Sequence, residues 1–139
     1  MVAEGKATFP GYYASLADVA AFIREAAYQA GFDNATIYNI ELALDEAVTN
    51  IIEHAYGAEG VGEIELAYRT DEAGLTITIQ DYGQPFDPEA VQIPDIHASL
   101  QERENHGLGV FLIRRLMDEV HFSFSQTRGN SLVLVKYKD

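Results

Sequence analysis

Residues 41–57 read ELALDEAVTNIIEHAYG, and this stretch decides how the chain folds. With the residues just before it, it places apolar side chains three or four positions apart, which is the spacing of an amphipathic helix. Those side chains belong to Ile37, Ile40, Leu44, Ala47 and Ile51. Gly57 predicts the end of the helix, because glycine readily takes the left-handed conformation found there. The stretch therefore predicts a long helix that covers a hydrophobic core.

Three polar residues of this helix, Glu46, Asn50 and His54, are spaced four apart. Residues at that spacing project from one side of a helix. A carboxylate, an amide and an imidazole in a row can act as a base, a metal ligand and a polar contact. The same spacing also fits an ordinary hydrated helix face, so the spacing alone leaves both interpretations open.

The composition is that of a single globular domain spanning residues 1–139, with 47% hydrophobic and 22% charged residues. No apolar run approaches the roughly 20 residues that a membrane span needs, and the N-terminus lacks a signal pattern. The chain has no cysteine, which excludes disulfide and thiolate chemistry and agrees with a cytoplasmic location. We therefore expect a cytoplasmic protein with no membrane association.

The net charge of −13 restricts the partners of the chain. Nucleic-acid backbones and anionic membranes would be repelled, so direct binding to either is not expected. Neutral or basic protein partners suit this charge better. Any phosphate ligand would need local backbone N–H groups, a metal ion or a few well-placed cations.

Around the long helix, which Asp33 or Asn34 is predicted to cap, the sequence predicts two further helices and five strands. Alternation of apolar and polar residues in the central hairpin predicts an antiparallel sheet with one face covered by helices. Ser15 is predicted to cap the first helix and Gly31 to end it. The helices are expected at 15–30 and 110–117, and the strands at 6–9, 63–68, 75–80, 120–125 and 131–137.

Residues 81–106 have three prolines and little periodicity, which predicts a long irregular segment of the lid or binding-loop type. A short helix at 96–104 and a plain solvated surface both fit its second half. An Asp-x-Gly turn, Asp81 to Gly83, begins this segment at the end of a strand. A Gly-Leu-Gly sequence, Gly107 to Gly109, follows it at a helix start, where free N–H groups and the helix dipole attract phosphate.

In order and spacing these motifs resemble the GHKL superfamily, the ATP-binding domain shared by gyrase, histidine kinases and MutL. The closest subgroup is the small bacterial anti-sigma-factor serine kinases. The matching segments are Glu-Ala-Val-Thr-Asn at 46–50, Asp-x-Gly-x-x-Phe-Asp at 81–87, Gly-Leu-Gly at 107–109 and Leu-Met-Asp-Glu-Val at 116–120. The resemblance implies an α+β fold, a two-layer α/β sandwich of the Bergerat type. Its mixed, mostly antiparallel sheet carries helices on one face, and ATP lies between the helices and a lid.

The resemblance also implies roles for individual residues. Glu46 would be the general base that takes the proton from a partner's serine hydroxyl, and Asn50 would hold Mg²⁺ through its amide oxygen. Asp81 would accept a hydrogen bond from the adenine amino group. Gly83 would let the backbone approach the ring. Gly107, Leu108 and Gly109 would bring the phosphates to backbone donors; His54, often present in the family, is interpreted as a structural residue.

The function implied is an ATP-dependent protein-serine kinase and anti-sigma factor of a partner-switching system. It would phosphorylate a serine of an anti-sigma-factor antagonist of the STAS type, and bind a sigma factor or other regulator in its alternative state. The subgroup also implies a homodimer, for which Phe9, Tyr12 and Tyr13 offer apolar material, although core packing explains them equally well.

Two alternatives remain. Some relatives place an arginine just before the glycines, where this chain has Asn105 and His106. The cation would then come from Arg103, His106 or the partner, or the chain would be a nucleotide-binding sequestration module without significant kinase activity. A nucleotide-binding domain of a larger sensor kinase ranks last, because the chain shows no phospho-acceptor-histidine helix region.

Overall fold

The computed structural model describes residues 2–86 and 108–139, with only the backbone described at Leu108. These residues form five strands and three α-helices. The bounds differ from the predicted ones by at most three residues, except that the long helix, predicted to end at Gly57, is α-helical only to Asn50 and π-helical from Ile51 to Tyr56. In chain order they are β1 (Ala3–Pro10), α1 (Leu16–Ala30), α2 (Asn34–Asn50), β2 (Glu63–Thr70), β3 (Gly74–Asp81), α3 (Leu108–Leu116), β4 (Glu119–Ser125) and β5 (Gly129–Tyr137). A 3₁₀ turn, Tyr13–Ser15, precedes α1, and a π-helical turn, Ile51–Tyr56, continues α2.

The five strands form one sheet in the order β1-β2-β3-β5-β4. Each neighbouring pair in this sheet is antiparallel, so the described sheet has none of the parallel pairing that a mixed sheet would contain. Strand β5 comes between β3 and β4, and its register places Asn130 opposite Asp81. The end of β3, which carries the Asp-x-Gly turn, therefore lies beside the start of β5.

One face of the sheet is buried beneath the helices, which confirms the predicted α+β sandwich. Alternate strand residues, among them Ile64, Leu66, Ile77, Ile79 and Leu134, are at most 1% exposed. The helices contribute equally buried side chains to the same core, namely Val19, Ile23, Ile40, Leu44, Val48 and Ile113. Each such side chain contributes about 1.5–3 kcal/mol by leaving water, so this face holds the two layers together.

The helix ends follow the local sequence, with one exception. Asp33 caps α2, because its carboxylate accepts the Thr36 N–H at 2.8 Å. Gly31 (φ 96°) and Gly57 (φ 83°) close α1 and the π turn in the left-handed conformation. The predicted capping by Ser15 is wrong: its backbone is already helical after the 3₁₀ turn, and its hydroxyl donates to the Pro10 carbonyl at 2.8 Å.

Part of the predicted irregular segment lies outside the described residues. This applies to the possible helix at 96–104, to Gly107, and to Arg103, Asn105 and His106. No helix formed by residues 2–86 and 108–139 combines the length and the hydropathy that a membrane span requires.

Candidate functional site

The site begins where α2 meets the first turn of α3. A Cβ atom on Gly109 would lie 2.7 Å from Glu46 Oε2 and 3.2 Å from Asn50 Nδ2, so a side chain at this position would displace the Glu46 carboxylate and crowd the Asn50 amide. Helix α3 begins at Leu108, two residues earlier than predicted, and Gly109 therefore belongs to its first turn. The structure thus brings Gly109 to Glu46 and Asn50 of α2, although Gly109 lies far from both of them in sequence.

The side-chain amide nitrogen of Asn50 is the next feature of the site. Its Nδ2 is buried and has no hydrogen-bond partner among the described residues. Since buried polar groups are nearly always paired, this indicates a side chain whose partner is a ligand or an ordered water.

The oxygen atoms at this point of the site suit a magnesium ion held together with a nucleotide. Residues 2–86 and 108–139 contain no group of three or more His, Cys, Asp or Glu that could hold a metal ion. Magnesium commonly takes only one or two protein oxygens and completes its shell with water and phosphate. The side-chain oxygens of Glu46 and Asn50, both close to Gly109, meet that requirement.

Asp81 lies at the end of β3 and is only 3% exposed. Its Oδ1 accepts the Gly83 N–H at 2.9 Å and the Asn130 Nδ2 at 2.8 Å. Burial raises the pKa of the Asp81 carboxyl, and these two donors act in the opposite direction. The result is a buried carboxylate held in one orientation at the inner end of the site.

Asn130 is a candidate site residue that the sequence analysis does not identify, because it directly precedes the predicted strand 131–137 and belongs to none of the recognised motifs. Its side chain is 2% exposed, and its Nδ2 also lies 3.2 Å from the Gly83 carbonyl and 3.4 Å from the Gln84 carbonyl. Its Oδ1 is buried without a partner in the described part of the chain. Only the pairing of β3 with β5, across 49 residues, brings it to Asp81.

Gly83 has a packing role that the sequence did not indicate. A Cβ atom there would lie 2.4 Å from the Ala55 carbonyl oxygen, and the Gln84 N–H donates to that same oxygen at 2.7 Å. The Asp-x-Gly turn is therefore fastened to the π turn that follows α2. The approach of Gly83 to an adenine ring stays a prediction.

A small cavity connects the two halves of the site. Asn50 from α2, Asp81 from β3 and Asn130 from β5 all line it, and its volume of about 10 Å³ accommodates roughly one water molecule. Its aromatic wall is formed by Phe86, Phe122 and Phe124. The helix residues and the strand residues of the site thus line one small cavity whose walls are mainly apolar.

His54 belongs to the aromatic wall, in line with its structural interpretation. Its ring centroid lies 5.8 Å from that of Phe86, which in turn lies 5.4 Å from Phe124 and 6.4 Å from Phe122. The π turn that contains His54 has a wider hydrogen-bonding pattern than α2. Glu46 and Asn50, four residues apart in the α-helix, therefore lie on one side of it. His54, four residues further on in the π turn, does not continue that row.

Comparison with known proteins agrees with this architecture. The profile of the histidine kinase-like ATPase domain matches residues 9–136. The serine-protein kinase RsbW of Listeria monocytogenes serovar 1/2a is 35% identical over 115 residues, covering 80% of this chain and 72% of that protein. The serine-protein kinase RsbW of Bacillus cereus (strain ATCC 10987) is 34% identical over 111 residues, covering 77% and 68%.

Two solved structures share the fold. The crystal structure of the RsbU and RsbW domains of a Mycobacterium tuberculosis protein superimposes with a TM-score of 0.66 at 20% identity, covering 99% of this chain and 33% of that one. A chain of the SiaB–SiaC complex from Pseudomonas aeruginosa gives 0.62 at 12% identity, covering 96% and 88%. The arrangement of Glu46, Asn50, Asp81 and Gly109 agrees with these matches. The profile match and the relatives show that this chain belongs to the histidine kinase-like ATPase domain family.

Proposed function

We propose that this chain is an ATP-dependent protein-serine kinase and anti-sigma factor of a partner-switching system. It phosphorylates a serine of an anti-sigma-factor antagonist of the STAS type and sequesters a sigma factor or related regulator. The observation that carries the proposal is the meeting of Glu46 and Asn50 with the first turn of α3 at Gly109. The family match and the relatives called serine-protein kinase RsbW support it.

Glu46 is the proposed general base. Phosphoryl transfer is achieved mainly by positioning and by stabilising charge, so the base must be held at a fixed place beside the phosphates. A carboxylate on a helix packed against the phosphate-binding turn has that placement. It takes the proton from the serine hydroxyl as that oxygen attacks the γ-phosphorus, while the bond from this phosphorus to the β,γ-bridging oxygen breaks and ADP leaves.

Asn50 is the proposed magnesium ligand, through its amide oxygen. A magnesium ion held there would supply positive charge that offsets the phosphate charge during transfer. The backbone N–H groups of Leu108 and Gly109, at the start of α3, together with Gly107, would receive the phosphates. These local positive groups offset the net charge of −13 that otherwise repels the nucleotide.

Asp81 is the proposed adenine-recognition residue. Its carboxylate accepts a hydrogen bond from the 6-amino group of the base, while Gly83 keeps the adjacent backbone free of side-chain atoms. Both residues lie at the strand end next to the aromatic wall.

We also propose that the protein acts in the cytoplasm, as a homodimer, and that its output is transcriptional. Phe9 is half-buried with its ring 6.0 Å from that of Phe22, so only part of its side chain is available for a dimer contact. Tyr12 and Tyr13 remain 47% and 41% exposed. They are therefore the residues of that group that fit a dimer interface.

The test of the proposed function is the Glu46→Gln variant. It should abolish transfer of phosphate from MgATP to a purified antagonist protein, while ATP binding measured by calorimetry stays close to wild type. Glu41→Gln is a matched control, since Glu41 is an α2 carboxylate paired instead with Arg24. Transfer at the wild-type rate by Glu46→Gln would remove Glu46 from the mechanism.

The alternative, a nucleotide-binding module that sequesters its partner without kinase activity, rests on Asn105 and His106 in place of an arginine. The same assay separates the two functions. Stable binding of the antagonist in MgATP with no phosphorylated serine would favour sequestration. Calorimetry with and without magnesium, repeated on Asn50→Ala, tests the metal site in either case.

A further inference from the structure

Asn130 has features that strand packing does not require. It lies at the start of β5, directly opposite Asp81, with its side chain turned into the protein. Its Oδ1 is buried and unpartnered within the described residues, which costs stability. A residue that is retained despite such a cost commonly serves a site rather than the fold.

The side-chain amide nitrogen of Asn130 contacts three residues in and just after the Asp-x-Gly turn. Nδ2 lies 2.8 Å from Asp81 Oδ1, 3.2 Å from the Gly83 carbonyl and 3.4 Å from the Gln84 carbonyl. An amide nitrogen carries two hydrogens, so one is directed to the carboxylate and the other is shared by the carbonyls. With the Gly83 N–H also donating to Oδ1, the carboxylate and its turn are held from two sides.

We propose that Asn130 is a positioning residue for nucleotide recognition, which orients the Asp81 carboxylate toward a 6-aminopurine. The inference rests on the proposed adenine-binding role of Asp81. Adenine presents a hydrogen-bond donor at position 6, whereas guanine presents an acceptor there. A carboxylate fixed as an acceptor therefore selects adenine, and a carboxylate free to turn selects less strongly. Asn130 acts through Asp81 and has no part in phosphate transfer.

The test measures selectivity rather than binding alone. Kd for MgATP and for MgGTP is determined by calorimetry on the full chain for wild type, Asn130→Ala and Asn130→Asp. We expect Asn130→Ala to weaken ATP binding by about tenfold or more, since a hydrogen bond to a charged group is lost. Its effect on GTP should be small, so the ratio of the two Kd values falls toward one.

Asn130→Asp supplies a nearly isosteric second variant. At pH 8 it places a second carboxylate against Asp81, and ATP binding should be weaker than in Asn130→Ala. As the pH falls toward 5, the pair can share one proton and regain a donor, so its ATP affinity relative to wild type should recover. Asp81 is the one ionisable group among the described residues that line the cavity. The ionisable groups that contact its neighbours, among them Glu46 beside Gly109, His54 beside Phe86 and Tyr56 near Asp81, are the same in every protein compared.

Gln80→Ala is the matched control. Gln80 Nε2 donates to the Arg128 carbonyl at 2.7 Å. Like the contacts of Asn130, this is a hydrogen bond from a side-chain amide that joins the end of β3 to the β5 hairpin. It should leave the ATP-to-GTP ratio unchanged. Thermal unfolding of every variant checks that the fold is intact.

The outcomes are distinct. An unchanged ATP-to-GTP ratio in folded Asn130→Ala, while wild type binds ATP, would overturn this inference and leave the proposed function standing. Failure of wild type to bind ATP would overturn the proposed function, and this inference with it. Unfolding of both Asn130 variants would make the residue structural and would also overturn the inference.

Discussion

At the scale of single residues, the site places binding groups where they cost stability. Asp81 is a nearly fully buried carboxylate, and Asn50 and Asn130 each keep a buried polar atom without a partner in the described residues. Burial of a carboxylate favours its neutral form, and the two donors to Oδ1 recover only part of the loss. Such residues are explained by the ligand that they meet rather than by the fold.

Asp81→Asn should therefore separate binding from stability. The amide oxygen can still accept from the Gly83 N–H and the Asn130 amide, so the turn is retained. We expect ATP affinity to fall more than tenfold, because an amide oxygen is a weaker acceptor than a carboxylate and its NH₂ group opposes the adenine amino group.

The stability of this variant should depend on pH in a definite direction. Since the folded pKa of Asp81 is raised, the native state binds its proton more tightly than the unfolded chain, and wild type loses this contribution as pH rises above the unfolded value. The free energy of unfolding of Asp81→Asn should thus equal or exceed that of wild type at pH 7, with the difference shrinking in acid. Urea unfolding at several pH values measures it, and a less stable variant at pH 7 would contradict the argument.

At the scale of elements, the close approach of α2 and α3 defines the end of the site that we propose to bind the phosphates. Gly109 permits it, because a side chain there would push the Glu46 carboxylate and the Asn50 amide out of their present positions. The adenine end depends in the same way on the π turn, whose Ala55 carbonyl receives the Gln84 N–H against Gly83. Gly109 therefore allows α3 to contact α2 at one end of the site, and Gly83 allows the Asp-x-Gly turn to contact the π turn at the other.

Gly109→Ala should move α3 away from Glu46 and Asn50. We expect phosphate transfer to fall at least tenfold and the protein to lose about 1–3 kcal/mol of stability through overpacking. Gly31→Ala is the control: a Cβ there meets nothing within 4 Å, although its φ of 96° is unfavourable for alanine, so it should lose stability but keep transfer. Equal transfer rates in both variants, measured with labelled ATP, would show that the α2–α3 contact does not position the base.

At the scale of the whole molecule, the net charge of −13 opposes the anionic ligand. Salt screens such repulsion, so raising NaCl from 50 to 300 mM at fixed free magnesium should increase the association rate of MgATP about twofold. Neutral adenosine should show no such increase. Stopped-flow measurement with a fluorescent ATP analogue provides the rate, and a decrease with salt would mean that local positive groups dominate the field.

Much of the fold can be predicted from the sequence because it depends on interactions between residues that are close in the chain. Periodicity of apolar residues identifies α2 and the central hairpin, Asp33 caps through its own neighbour Thr36, and Gly31 and Gly57 end helices. The family resemblance adds Glu46, Asn50 and Asp81 as site residues. The predicted Ser15 cap is wrong because Ser15 already has helical backbone angles and its hydroxyl donates to the Pro10 carbonyl, five residues earlier.

The sequence by itself determined the elements and the buried face of each, since these depend on spacing within a few residues, and it indicated the motif residues through the family resemblance. Only the tertiary structure decided that Asn130 joins Asp81, that Gly83 rests on Ala55 and that Gly109 rests on Glu46. These contacts follow from the pairing of β3 with β5 and from the packing of α2 against its neighbours. Such pairing depends on burying complementary surfaces from distant parts of the chain, and no local pattern encodes which surfaces meet.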